Sequence, residues 1–155
     1  MSYNIRPMNE SDIDAVHAIE TEVHIAPWSR NILRDCVLVG YDCRIIEMQR
    51  DNHTFLGGYI ICRHHNNCCH ILNFCIAKSI QSQGYGRAFL QYVLDSLIEL
   101  RTINHVILEV RPSNHSALRL YESIGFEQTE IKPGYYKDNG TIEDAILLKK
   151  ILCLE

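Results

Sequence analysis

The segment QSQGYGRA (residues 81–88) does most to limit what this chain can fold into. It stands where a strand-like run, CCHILNFCIA (68–77), hands over to an amphipathic helix. That helix covers Arg87–Leu100, with Ala88, Leu90, Val93, Leu94, Leu97, Ile98 and Leu100 as its apolar positions. Gly84 and Gly86 let the backbone turn tightly and approach a ligand closely. The first N–H groups of the helix lack intrahelical partners and can bind phosphate oxygens, and Arg87 adds a cation in the same turn. One reading is a pyrophosphate cradle; the other is a helix entry with two turn glycines and no ligand. A Rossmann fingerprint needs Gly or Ala where Phe89 stands, and a P-loop needs a Gly-Lys-Ser/Thr that the chain lacks.

Around this junction the pattern is mixed. YNIR (3–6), ended by Pro7, suggests a short opening strand. Ser11 and Asp14 resemble a capping box ahead of a helix carrying Ile13, Val16, Ala18, Ile19 and Val23. HIAPW (24–28) breaks that helix, and Ser29 caps a second one through about Val37, with Ile32, Leu33 and Cys36 inward. Strand-like runs follow at Asp42–Met48 and Phe55–Cys62, before the run at 68–77. After the long helix, HVILEVR (105–111) reads as a strand, and Asn114 caps a helix that Gly125 ends. Phe126–Lys132 and Ile142–Ile151 form a closing pair joined by the loop PGYYKDNG. The order is strand, two helices, three strands, helix, strand, helix, two strands: an α/β chain.

Length and charge narrow the function classes. A chain of 155 residues suits one compact domain, residues 1–155, with enough interior to need neither a metal nor a disulfide staple. A formal net charge of −4 argues against direct contact with nucleic acid. No apolar run approaches the roughly 20 residues that cross a bilayer, and the opening MSYNIRPMNESD lacks a signal-peptide core. Seven cysteines, an odd count scattered through apolar runs and turns alike, suggest reduced thiols. The expectation is a soluble cytoplasmic protein with no membrane partner.

Q-x-x-G-x-G ahead of an amphipathic helix resembles the acyl-CoA-binding signature of the GCN5-related N-acetyltransferase (GNAT) family, and the element order resembles that fold. LEVRPSNHSALRLYESIGF (108–126), HIAPWS (24–29), ILNFCIA (71–77), GYY (134–136) and EDAI (143–146) resemble its ribosomal-protein-alanine N-acetyltransferase (RimI) subgroup. The resemblance runs nearly end to end. It implies a single GNAT-type domain: a mixed, mostly antiparallel seven-stranded sheet flanked by about four helices and splayed at the acyl-CoA-binding strand. It implies acetyl-CoA as co-substrate, with pantetheine along the backbone of Phe74, Cys75 and Ile76. Pyrophosphate would meet Ser82, Gln83, Gly84, Tyr85, Gly86 and Arg87, and Asn114 would also touch the cofactor. The implied acceptor is the N-terminal alanine of the eighteenth small-subunit ribosomal protein. A lysine side chain, a polyamine or a small-molecule amine is the alternative acceptor, and a non-catalytic acyl-CoA-binding module the alternative class.

The same resemblance assigns roles to individual side chains. Glu109 matches the subgroup's general base, acting through water; read alone, it is equally a strand carboxylate at the surface. Tyr121 matches the general acid for the departing thiolate, although Ala117, Tyr121 and Ile124 share ordinary helical core spacing. Pro27 and Trp28 fall where the family places an acceptor-binding loop, although Trp28 reads equally as a core anchor. Tyr135 and Tyr136 sit in the last hairpin loop, either closing over a peptide or simply exposed, and Glu22 is a weaker candidate. The subgroup's Val-Asp-Pro after the cofactor strand is replaced by Ile76-Ala77-Lys78. Ser82 stands where a basic residue is common, so one phosphate contact is missing.

CRHHNNCCH (62–70) looks at first like a metal cluster. Between two antiparallel strands it becomes a hairpin, in which Cys68 and Cys69 point to opposite faces. It also lacks a Cys-x-x-Cys pair. The expectation is a turn, with no metal, and with Cys62 and Cys69 as small buried apolar residues.

Overall fold

A computed structural model describes residues 1–138 and 140–152. Among the described residues, seven strands and four helices follow one another: β1 (Ser2–Pro7), α1 (Ile13–Val23), α2 (Arg30–Leu38), β2 (Asp42–Arg50), β3 (His53–His65), β4 (Cys68–Ile76), α3 (Tyr85–Leu100), β5 (His105–Val110), α4 (His115–Ile124), β6 (Glu127–Asp138) and β7 (Thr141–Ile151). Single 3₁₀ turns precede α1 (Glu10–Asp12) and α3 (Lys78–Ile80). The strands form one mixed sheet in the order β1-β2-β3-β4-β5-β7-β6. β4 and β5 are parallel, and the pairings of β1 with β2, β2 with β3, β5 with β7 and β6 with β7 are antiparallel. The parallel register runs from Cys68–His105 to His70–Ile107.

Two compact units share these elements. The first comprises Met1–Arg63 and Leu72–Leu90. Its interior holds Ile13, Val16, Leu33, Ile45, Ile46, Met48, Tyr59, Ile60 and Ile61, all essentially sealed from water. The second comprises His64–Ile71 and the chain from Gln91 onward. Val93, Leu94 and Leu97 of α3 are fully buried there, as is Val106 of β5. Each such side chain contributes about 1.5–3 kcal/mol by leaving water.

Local details depart from expectation where tertiary contacts decide them. The capping box lies two residues earlier, on Asn9 and Asp12, where Arg6 holds the Asp12 carboxylate in place with two hydrogen bonds (2.9 and 2.8 Å). Ile32 is exposed, so only Leu33 and Cys36 face inward from α2. Ser29 does cap α2, accepting from the Ile32 N–H. Asn114 likewise caps α4, which ends at Gly125.

The largest correction concerns PGYYKDNG. β6 continues through Asp138, past irregularities between Gln128 and Glu130 and between Lys132 and Tyr136. Tyr135 and Tyr136 are therefore strand residues, not loop residues. A strand fixes their directions: Tyr135 is exposed and Tyr136 half-buried.

The hairpin reading of CRHHNNCCH holds. Asn66 and Asn67 form a two-residue turn with φ of 47° and 66°, the left-handed pair that suits asparagine. Cys69 is fully buried and Cys68 only half, so they do face opposite ways. Cys62 is fully buried too. Among the described residues, no group of three His, Cys, Asp or Glu side chains is placed to hold a metal.

Candidate active site

Strand β5 alternates strictly: Val106, Leu108 and Val110 are buried, whereas His105, Ile107 and Glu109 lie on the other, half-buried face. Glu109 is thereby excluded from the apolar interior and faces its neighbours on adjoining strands. His70 of β4, registered beside Ile107, reaches it: Nε2 lies 2.6 Å from Glu109 Oε2. Lys132 of β6 donates from Nζ to the other oxygen, Oε1, at 3.0 Å. Both carboxylate oxygens are engaged, and the Glu109 side chain is only 9% exposed. Burial pushes its carboxyl up, but the hydrogen bonds from His70 and Lys132 outweigh that and hold it below the usual carboxylate range. The same contact raises the Lys132 ammonium.

This cluster continues along β6. The Lys132 ammonium lies 5.5 Å from the Tyr135 ring centroid, and Tyr135 meets Tyr136 edge to face at 5.0 Å. The Arg111 guanidinium covers the Tyr136 ring at 4.0 Å and pairs with Asp138 and Glu143. Burial pushes the Tyr136 phenol up to about 12, so it stays a hydrogen-bond donor. Tyr121, on α4, is 7% exposed and packs edge-on against Phe126. The expected core stripe of α4 is real, since Ile124 is buried beside it.

The glycine segment belongs to the other unit. Gly84 adopts φ +91° and Ser82 φ +63°, the left-handed turns that swing the chain from the 3₁₀ turn into α3. No atom lies within 4 Å of where a Gly84 Cβ would sit. The surface there is open at the first turn of α3, where backbone N–H groups point along the helix axis toward its start, which suits a diphosphate. α3 starts at Tyr85, so Gly86 lies within its first turn rather than ahead of it. Tyr85 packs edge-on against Tyr3. Phe89, which breaks the Rossmann spacing, stacks at 5.9 Å on Phe74 of β4 and so locks the helix to the strand. Gln81 closes the turn by donating from Nε2 to the Ile76 carbonyl at 2.8 Å. Ala77, one of the departures, is anchored by its N–H to the Gly57 carbonyl (2.8 Å), and Lys78 opens the 3₁₀ turn. Asn114 uses its side-chain oxygen on the Ala117 N–H (3.3 Å), the capping role, which leaves its amide N–H groups for other partners.

HIAPWS is held by a residue that sequence reading passed over. Glu20 on α1 is 1% exposed, yet it accepts from Tyr59 Oη (2.6 Å), Asn73 Nδ2 (2.6 Å) and the backbone N–H of Trp28 (3.0 Å). His24 Nε2 lies 3.2 Å from Asn73 Oδ1. Trp28 is half-buried, Pro27 exposed, and Glu22 points to solvent. The readable signal was a carboxyl at i+4 from Val16 on the apolar face of the helix. His70 and Lys132 were missed as well, because their meeting with Glu109 depends on strand register.

Comparison with known proteins identifies the family. The model of the acetyltransferase (GNAT) family matches residues 13–126. The [ribosomal protein bS18]-alanine N-acetyltransferase of Escherichia coli (strain K12) is 31% identical over 144 residues, covering 93% of this chain and 94% of that protein. The crystal structure of the ribosomal-protein-S18-alanine N-acetyltransferase from Escherichia coli matches with a TM-score of 0.88 at 27% identity, over 99% of this chain and 96% of that one. Arabidopsis thaliana NAA60 in complex with a bisubstrate analogue shares the fold, with a TM-score of 0.86 at 19% identity over 97% and 98% of the two chains. The chain belongs to the acetyltransferase (GNAT) family, and is an acetyl-CoA-dependent N-acetyltransferase.

Proposed function

We propose that the chain moves the acetyl group of acetyl-CoA onto the α-amino group of an N-terminal alanine, the acceptor being the eighteenth protein of the small ribosomal subunit. A relative 31% identical that carries this activity in its name supports the acceptor. The observation that carries the choice of amine is the pair of cationic and imidazole contacts that hold Glu109 as a carboxylate. An ordinary Glu titrates near 4.3, an α-ammonium at about 7.7–8.0 and a lysine near 10.4. Moving a proton to such a carboxylate is uphill by about 5 kcal/mol from an α-ammonium and about 8 kcal/mol from a lysine, and lowering the carboxyl widens both gaps. About 10–20% of α-amines are already neutral at pH 7, against less than about 0.1% of lysines. A weak base therefore suits the α-amine.

In this reading residues 1–155 act as one domain. Pantetheine lies along the backbone of Phe74, Cys75 and Ile76, and the diphosphate is held by Ser82 through Arg87, with Asn114 as a further contact. Pro27, Trp28, Tyr135 and Tyr136 hold the acceptor peptide. Glu109 is the general base and draws a proton from the amine through water. Tyr121 gives its proton to the departing thiolate as the C–S bond breaks. A ribosomal-protein acceptor places the enzyme in the cytoplasm.

The test is a competition. Purified protein is given acetyl-CoA with an alanine-starting peptide, with the same peptide N-blocked and carrying lysine, and with spermidine. CoA release confined to the free α-amine is the expected result. Equal or faster release with lysine or spermidine, or none with any amine, would overturn the proposal.

A further inference from the structure

We propose that His70 is the group that takes the amine proton, and that Glu109 acts through it as a positioning residue. This rests on the reading above and replaces the water through which Glu109 would act with a side chain. Three observations converge. Both oxygens of Glu109 are already occupied, one by His70 Nε2 and one by Lys132 Nζ, so the carboxylate has no oxygen turned wholly toward a substrate. His70 is more exposed than Glu109, 20% against 9%, so solvent reaches the imidazole more readily than the carboxylate. And among the described residues the other ring nitrogen, Nδ1, has no hydrogen-bond partner. With Nε2–H given to Glu109, Nδ1 keeps its lone pair and is the acceptor.

The arrangement is that of a base oriented by a carboxylate, which fixes the tautomer and stabilises the imidazolium that forms. Lys132 completes it. By occupying Oε1 it leaves Oε2 to His70, so the ring cannot exchange one oxygen for the other. Proton and electron traffic then balances. Nδ1 takes one proton from the α-ammonium and passes it to water. The nitrogen lone pair attacks the thioester carbonyl carbon, the C–N bond forms and the carbonyl π pair moves to oxygen. On collapse of that intermediate the C–S bond breaks with its electron pair on sulfur. The thiolate takes the Tyr121 proton, and the second proton shed by the new amide nitrogen returns to the phenol through water.

A holder of Glu109 and a base are separated by His70→Gln, whose amide N–H can still bond the carboxylate but whose amide cannot carry the proton. For a base, kcat on an alanine-starting peptide falls by about 10²- to 10⁴-fold with the KM for acetyl-CoA unchanged. His70→Ala, which leaves a gap, regains turnover on addition of free imidazole, a readout independent of how well the Gln variant folds. Retention of more than half the wild-type kcat by His70→Gln, or no recovery of His70→Ala with imidazole, overturns the assignment while leaving the α-amine reading intact. Absence of turnover by the wild-type chain would overturn both.

Discussion

The Tyr59 hydroxyl donates a hydrogen bond to Oε1 of Glu20 across 2.6 Å, and neither side chain reaches water. Burial pushes the Tyr59 phenol far up, so it remains protonated and a donor at any pH the protein survives. Through the other carboxyl oxygen Glu20 holds the Trp28 N–H, so one buried side chain ties β3, α1 and the HIAPWS segment together. Tyr59→Phe removes one donor and leaves the carboxyl short of a partner in a dry site. It should cost about 1–3 kcal/mol, or about 2–12 °C in melting temperature. Thermal unfolding by circular dichroism checks this; an unchanged melting point would mean that Glu20 does not depend on the phenol.

Gly58 of β3 faces the strand proposed to carry pantetheine. A Cβ added there would come within 2.5 Å of the Cys75 carbonyl oxygen and 3.3 Å of Ile76 Cα. Both are backbone atoms and cannot swing aside, so β4 must shift. Gly58→Ala is expected to destabilise by about 1–3 kcal/mol through overpacking. It should also raise the Kd for CoA several-fold, because the displaced residues are those proposed to meet the pantetheine amides. Calorimetric titration with CoA reads the second effect. Wild-type affinity in a measurably destabilised variant would move the pantetheine site away from Cys75 and Ile76.

Element identity was legible in this sequence because each helix and strand carries its own local pattern. Asn114 and Ser29 cap where expected, Gly125 stops α4, and the alternation of HVILEV survives as buried and half-buried faces. Strand length was not legible. β6 runs on through Pro133 and Gly134, which read locally as a turn, because pairing with β7 carries it past two irregularities. The site was half legible for the same reason. Glu109 stands out in its own strand, but nothing near it in sequence announces His70 or Lys132. Their approach follows from the parallel register of β4 on β5 and from β6 reaching β5's face beyond β7. Glu20 was visible as a carboxyl on an apolar stripe, yet its partners Tyr59 and Asn73 lie 39 and 53 residues away.

Cys75 sits at the proposed acyl-carrying strand, where a thiol invites the idea of an acetyl-enzyme. Burial pushes that thiol up to about 12, leaving on the order of one part in 10⁵ as thiolate at pH 7. The reaction should therefore be a direct transfer. Initial-rate lines at varied acetyl-CoA and fixed peptide levels should intersect rather than run parallel, and protein incubated with acetyl-CoA alone should keep its unmodified mass. Parallel lines or an acetylated Cys75 would contradict this. Iodoacetamide should label Cys75 only after unfolding.

Glu109 carries the last prediction, which concerns acid. Its folded carboxyl titrates below its unfolded value, so the folded state binds its proton more weakly. That contribution to stability is complete above the unfolded value of about 4.3 and is lost as pH falls through the lower, folded value. Glu109→Gln keeps the shape and removes the charge facing His70 and Lys132. At pH 7 it should lower the unfolding free energy by about 1–3 kcal/mol. Near pH 3, below the unfolded value of about 4.3, the gap should narrow, because the unfolded carboxyl is then protonated and folding has to release that proton. Urea unfolding of both proteins at the two pH values checks this. A gap that stays constant with pH would mean that the His70 and Lys132 contacts contribute nothing electrostatic, and that the carboxylate is held by packing alone.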